Sequence, residues 1–197
     1  FISKHHLKLF LIALKNTAQL FNNAALTFFM LEVEAKVLEV DVEALQKKLG
    51  GLGAKKVFEG KMESAWFEPS RGKVIRLRRE GEKTFLCVKT GLQKSGGAKQ
   101  AEESEVAVES FEAAKKVLEA LGYSEKSRAK KRRASYELEG ARFEIDFYEG
   151  IPPLLEVEAA SAEAVAKWVK RLGFAAEEAK PWSFGELLEY YEGRRGE

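Results

Sequence analysis

Beyond residue 29 the sequence has no histidine, and its single cysteine is Cys87. Those two scarcities exclude a zinc site, a Ser-His-Asp triad and a Cys-His pair from residues 30–197, and one thiol builds no disulfide scaffold. Chemistry in that stretch must use Asp, Glu, Lys, Arg, Tyr or Ser, and any metal must accept oxygen ligands, as Mg²⁺, Mn²⁺ or Ca²⁺ do. Long apolar runs are also missing. The longest clean one near the start, Leu9 to Leu14, is far too short to span a bilayer, so no membrane association is expected. Acids are absent from residues 1–29, which hold Lys4, Lys8, Lys15 and both histidines. With those lysines set aside, 33 Lys+Arg against 31 Asp+Glu leaves a near-neutral body, and duplex nucleic acid is not expected as a partner.

What is present suits one compact domain: 197 residues, 45% hydrophobic and 32% charged, with no internal linker. Residues 1–29 read as an N-terminal extension, either an added segment or a leader, with a functional helix as the remaining possibility; residues 30–197 read as the working domain. Within it a short strand, a helix of about three turns and a Leu-Gly recur at 31–54, 103–123 and 154–174. The helices open on the N-cap residues Asp41, Ser110 and Ser161 and close near Gly50, Gly122 and Gly173. A last helix is expected from Ser183, where Glu186 has capping-box spacing, to about Tyr191. Further strands are expected near 57–68, split or whole, and at 73–79, 84–90, 130–138 and 141–148. Gly91 to Gln100 reads as a flexible loop.

Strand parity carries the functional signal, because residues i and i+2 share a face. Glu32, Glu34 and Lys36 oppose Leu31, Val33, Ala35 and Val37. Arg76 and Arg78, Lys89 with Cys87, Glu103 and Glu105, Lys131 and Arg133, Glu144 and Asp146, and Glu156 and Glu158 form similar ladders opposite apolar faces. Ordinary solvated strand faces would look much the same one at a time. The set differs in being sorted by sign, and the amphipathic helices need the apolar faces for themselves. A sheet closed on itself would then turn the charged faces inward, giving an α+β fold with an eight-stranded antiparallel closed tunnel and helices packed outside. Such a lumen must be wet or hold a ligand with many anionic oxygens and a divalent cation.

The ordered motifs Glu32-x-Glu34-x-Lys36, Arg76-x-Arg78, Lys89, Glu103-x-Glu105, Lys131-x-Arg133-x-x-Tyr136, Asp146 and Glu156-x-Glu158 resemble those of the CYTH family, the triphosphate tunnel metalloenzymes. The resemblance covers nearly all of residues 30–197. It implies a Mg²⁺- or Mn²⁺-dependent phosphohydrolase acting on inorganic tripolyphosphate or a nucleoside or thiamine triphosphate. The alternatives are a class IV adenylyl cyclase making cyclic AMP, and a non-catalytic polyphosphate-binding domain. It further implies that Glu32, Glu34, Asp146, Glu156 and Glu158 hold metal and that Arg76, Arg78, Lys89, Lys131 and Arg133 bind substrate. Glu103, Glu105 and Glu144 would be supporting tunnel acids. Lys36 would bind a terminal phosphate or activate water with a pKa lowered by neighbouring cations. A cytoplasmic monomer or homodimer is expected. One departure is Glu63-Ser64-Ala65-Trp66-Phe67, where cyclase-like relatives carry an acid and Tyr-Phe; Trp66 can stack on a base, but Ser64 brings no charge.

Overall fold

The computed structural model describes residues 29–68 and 72–194. The extension foreseen at 1–29 falls outside them except for Phe29, which opens the first strand. In chain order the elements are β1 (Phe29–Val37), α1 (Val42–Gly51), β2 (Lys55–Phe67), β3 (Val74–Glu80), β4 (Lys83–Ser95), β5 (Ala98–Val108), α2 (Phe111–Ala120), β6 (Glu125–Leu138), β7 (Ala141–Tyr148), β8 (Leu154–Ala159), α3 (Ala162–Leu172), a 3-10 turn (Ala176–Glu178) and α4 (Phe184–Arg194). The strands close into an antiparallel barrel in the order β1-β5-β4-β3-β2-β6-β7-β8.

Local chemistry accounts for the helix starts. Asp41, Ser110 and Ser161 each accept a hydrogen bond from the backbone amide three residues on, at 3.0, 3.2 and 3.2 Å, satisfying donors that a helix leaves free. Ser183 and Glu186 bond reciprocally as a capping box, the Ser183 amide donating to Glu186 at 2.9 Å and the Glu186 amide to Ser183 Oγ at 3.3 Å. The apolar strand faces pack outward under the helices. Val33, Val37, Phe143 and Val157 meet Leu45, Leu49, Trp168 and Val169 of α1 and α3; Phe67, Ile75 and Leu77 meet Phe111 and Leu118 of α2. Leu154 is different, since it has inward parity on β8 yet packs with Leu187 and Tyr191. Helix α4 therefore sits across one end of the barrel.

Four features differ from the sequence expectation or resolve it. Gly91 to Gln100 is no loop: after a register shift between Thr90 and Gln93, β4 and β5 go on pairing through Gln93↔Gln100 and Lys94↔Lys99. The glycines that suggested flexibility supply instead the left-handed backbone of a two-residue hairpin turn, with φ of 59° at Gly96 and 76° at Gly97, which matches strand twist. β6 begins at Glu125, because its polar start is held by pairing with β2 rather than by apolar alternation. β2 is one strand of 13 residues, and α4 runs on to Arg194.

Candidate functional site

The barrel encloses a cavity of about 310 Å³. Thirteen of the fourteen side chains singled out by parity line it: Glu32, Glu34, Lys36, Arg76, Arg78, Lys89, Glu103, Glu105, Lys131, Arg133, Glu144, Glu156 and Glu158. Asp146 does not. It is fully buried behind Arg133, whose Nε and Nη2 each donate to it at 2.6 Å, and Lys131 adds a further bond at 2.6 Å. A second opening of about 540 Å³, lined by Phe58, Glu80, Lys83, Glu137 and Arg142, lies at the end away from α4.

The ion pairs sort the lumen into satisfied and unsatisfied charge. Arg133 also contacts Glu144 and reaches Glu156 at 2.6 Å. Lys36 lies 3.0 Å from Glu34 and 2.7 Å from Glu156. Burial would lower its pKa, but those two carboxylates outweigh burial and hold it above the ordinary lysine value. The expectation of a lysine poised to lose its proton is thus corrected: Lys36 is a fixed cation. On the facing wall Lys89 contacts Glu32 and lies 3.1 Å from Glu103, and Arg78 makes a forked bond to Glu105 at 2.9 and 3.1 Å. Burial raises the Glu103 carboxyl, but Lys89 and Arg76 prevail and hold it near 2.

In two acids burial and neighbouring acids prevail: Glu32, despite its Lys89 contact, and Glu158, which has no ion pair among the described residues. Burial and then Glu34 push Glu32 up to about 8, and burial and then Glu144 push Glu158 up to about 7. Among the described residues Glu158 has no cationic group within 4.0 Å, and it stands opposite Glu34 in the β1–β8 register. Arg76 is the complementary case. Its nearest carboxylate oxygen is 3.7 Å away and its buried Nε has no acceptor. A buried guanidinium with a free donor is an anion receptor; a knot of buried carboxylates is a receptor for an oxygen-preferring divalent cation. Glu32 and Glu34 are hydrogen-bonded and Glu158 faces Glu34 across the β1–β8 register, which makes them candidates for the second role, although their oxygens do not all lie within 4.8 Å of one another. The thiol of Cys87 also lies near Glu103 and Glu105, but burial raises it to about 12 and it donates to Glu103 at 2.9 Å. With Lys89 and Arg78 on the same carboxylates, that trio is already neutralised.

Parity missed several lining residues. Lys99, 2.7 Å from Glu34, fell in the stretch read as a loop, although it shares parity with Glu103 and Glu105; burial and then Lys36 lower its pKa. Arg142, Tyr148 and Trp66 also line the cavity, and Phe184 reaches it from α4. Tyr136, part of a quoted motif, points the other way into the core under α1 and α3.

Comparison with known proteins places this architecture. The chain is similar to the PH1012 protein from Pyrococcus horikoshii OT3 at 28% identity, over 79% of this chain and 98% of that one, with a TM-score of 0.71. A Vibrio parahaemolyticus protein described as an adenylate cyclase candidate matches at 18% identity and TM-score 0.70, over 82% and 99% of the two chains. A Hippeastrum protein, described as a candidate adenylyl cyclase with a dominant triphosphatase activity, matches at 18% and 0.56, over 82% and 96%. At 18% these last two likenesses concern the fold. No curated protein matches. Among the described residues no helix is long and apolar enough to cross a membrane. The CYTH domain family matches residues 30–180, three-quarters of the sequence and every barrel strand, and the chain belongs to that family.

Proposed function

We propose that this protein is a divalent-cation-dependent phosphohydrolase that cleaves a triphosphate, attacking the terminal phosphoryl group with water to release orthophosphate and the corresponding diphosphate, which is pyrophosphate when the substrate is tripolyphosphate. The observation that carries this reading is the pairing, in one enclosed lumen, of the Arg76 guanidinium, whose buried Nε has no acceptor, with the crowded acids Glu32 and Glu158, whose carboxyls burial and neighbouring acids push up. A triphosphate with its cation satisfies both at once; a neutral ligand satisfies neither, and a lone cation satisfies only the acids.

In this reading Arg76, Arg78 and Lys89 take phosphoryl oxygens from one wall and Arg133, Lys36 and Lys131 from the other. Glu32, Glu34 and Glu158 would hold Mg²⁺ or Mn²⁺, which when bound neutralises phosphoryl charge. Because Lys36 is fixed between Glu34 and Glu156, it contributes a preorganised positive charge where negative charge spreads in the transition state. Asp146 acts through Arg133, locking the guanidinium in place. Arg133 needs that support, since it is otherwise free to follow Glu144 or Glu156. A small-molecule substrate and a cytoplasmic setting belong to the same reading.

The test is incubation with tripolyphosphate, ATP and thiamine triphosphate, with Mg²⁺ and separately with Mn²⁺, following orthophosphate, pyrophosphate and cyclic AMP. Orthophosphate from tripolyphosphate, abolished by chelator, is the expected result. Cyclic AMP as the main product would replace this reading with a cyclase, and tight binding with no product would replace it with a polyphosphate-binding domain.

A further inference from the structure

We propose that Phe184 determines the substrate class of this site: its ring occupies the aromatic stacking position on Trp66 and so reserves the lumen for compact inorganic triphosphate over nucleotides. The inference rests on the triphosphate reading and narrows it. Trp66 is a flat apolar surface on which a base would stack in a lumen lined largely by charge. That surface is taken. Phe184 lies against Trp66 with ring centroids 4.9 Å apart and planes within 9°, and Tyr148 stacks on Phe184 at 5.0 Å and 28°. Phe184 is thus one leaf of a Trp66–Phe184–Tyr148 stack, in a slot the thickness of a single aromatic ring.

The ring is held there firmly. Phe184 is the first residue of α4, directly after the Ser183 and Glu186 capping box. Glu186 is also ion-paired to Lys94 on the β4–β5 hairpin. Leu187 and Tyr191 anchor the helix on Ile151 and Leu154. A base entering the slot must displace Phe184 and disturb those contacts, whereas tripolyphosphate has no group to place there. Helix α4 lies beyond residues 30–180, the part matched by the family, while Trp66 and Tyr148 lie within it.

The experiment compares wild type with Phe184→Ala and Phe184→Leu. For each, kcat/KM for ATP is divided by kcat/KM for tripolyphosphate. In parallel, calorimetry measures binding of a non-hydrolysable ATP analogue and of tripolyphosphate. Opening a base-stacking slot is worth roughly 5- to 100-fold, so Phe184→Ala should raise the ratio about tenfold or more, with a matching gain in analogue affinity. Phe184→Leu, which keeps apolar bulk and the helix anchored but cannot stack, should fall between. The intermediate variant decides the matter even if the alanine protein folds poorly. A ratio and an analogue affinity unchanged in a folded variant would overturn the assignment. So would a fall in both, which would make Phe184 part of a nucleotide site. If the wild-type protein neither binds nor cleaves any triphosphate, the parent reading fails and takes this one with it. If it cleaves ATP and tripolyphosphate equally well, the triphosphate reading survives and the filter alone is lost.

Discussion

Glutamates of one lumen differ by their neighbours alone. Glu103, beside Lys89 and Arg76, stays ionised down to about 2, while Glu32 and Glu158 hold protons up to about 8 and 7. An acid with a raised folded-state pKa binds more protons folded than unfolded between its unfolded value and the raised one. Its contribution to stability is full below about 4.5 and is lost as pH rises through about 7 to 8. The melting temperature in chelator should therefore fall from pH 5 to pH 8.5, and Mg²⁺ should recover more of it at the higher pH. A flat profile in chelator would mean that these carboxylates are not crowded. Glu158→Gln should flatten the profile and raise the melting temperature at high pH without metal, while turnover drops about 100-fold or more; near-native turnover would remove Glu158 from the machinery. At this scale the sequence was legible through parity, which needs only that strands alternate. Parity reports a face and not what lies in front of it, so it could not see that Asp146 sits behind Arg133. Nor could it find Lys99 while Gly91 to Gln100 was taken for a loop.

Among the elements, α4 has the most to hold. Leu187 is fully buried on Ile151 and Leu154, and truncating a buried leucine costs about 2–5 kcal/mol. Leu187→Ala should lower the urea midpoint accordingly and raise nucleotide access along with Phe184→Ala. Glu186 adds a pH term of opposite sign to that of the tunnel acids. Burial disfavours its charge, but Lys94 and Ser183 outweigh burial and bring it down to about 2. That anchoring is intact above about pH 4.5 and is lost as pH falls toward 2, so acid should loosen α4 before it opens the barrel. The change is readable as altered fluorescence from Trp66 and Trp182. An unaltered signal down to pH 2 would show that the Lys94 tie carries no weight. Helix starts were legible because capping is local chemistry; the β4–β5 hairpin was not, because Ser95-Gly96-Gly97 is equally good material for a turn or a loop until pairing decides.

For the whole molecule, the closed barrel followed from asking where both the apolar and the charged strand faces could go. The strand order did not follow, since β2 pairs with β6 and β1 with both β5 and β8, and no local signal in those segments names a distant partner. The ladder of β1 starts at Phe29, opposite Ser104. Removing residues 1–28 should leave the melting temperature and tripolyphosphate cleavage unchanged, and a clear loss of either would assign that segment a place on the domain.

The position of β1 between β5 and β8 also sets when the site comes into being. Arg76, Arg78 and Lys89 belong to the β2–β5 meander and Arg133 and Lys131 to the β6–β8 meander. Only β1, which precedes all the other described strands in the chain, joins β5 to β8. It must wait for the last strand before its glutamates can face Glu158. On the triphosphate reading, a chain without β8 is expected not to bind tripolyphosphate, and a bound tripolyphosphate would add a brace across the two meanders, already joined by β2–β6, that slows their parting without hastening their meeting.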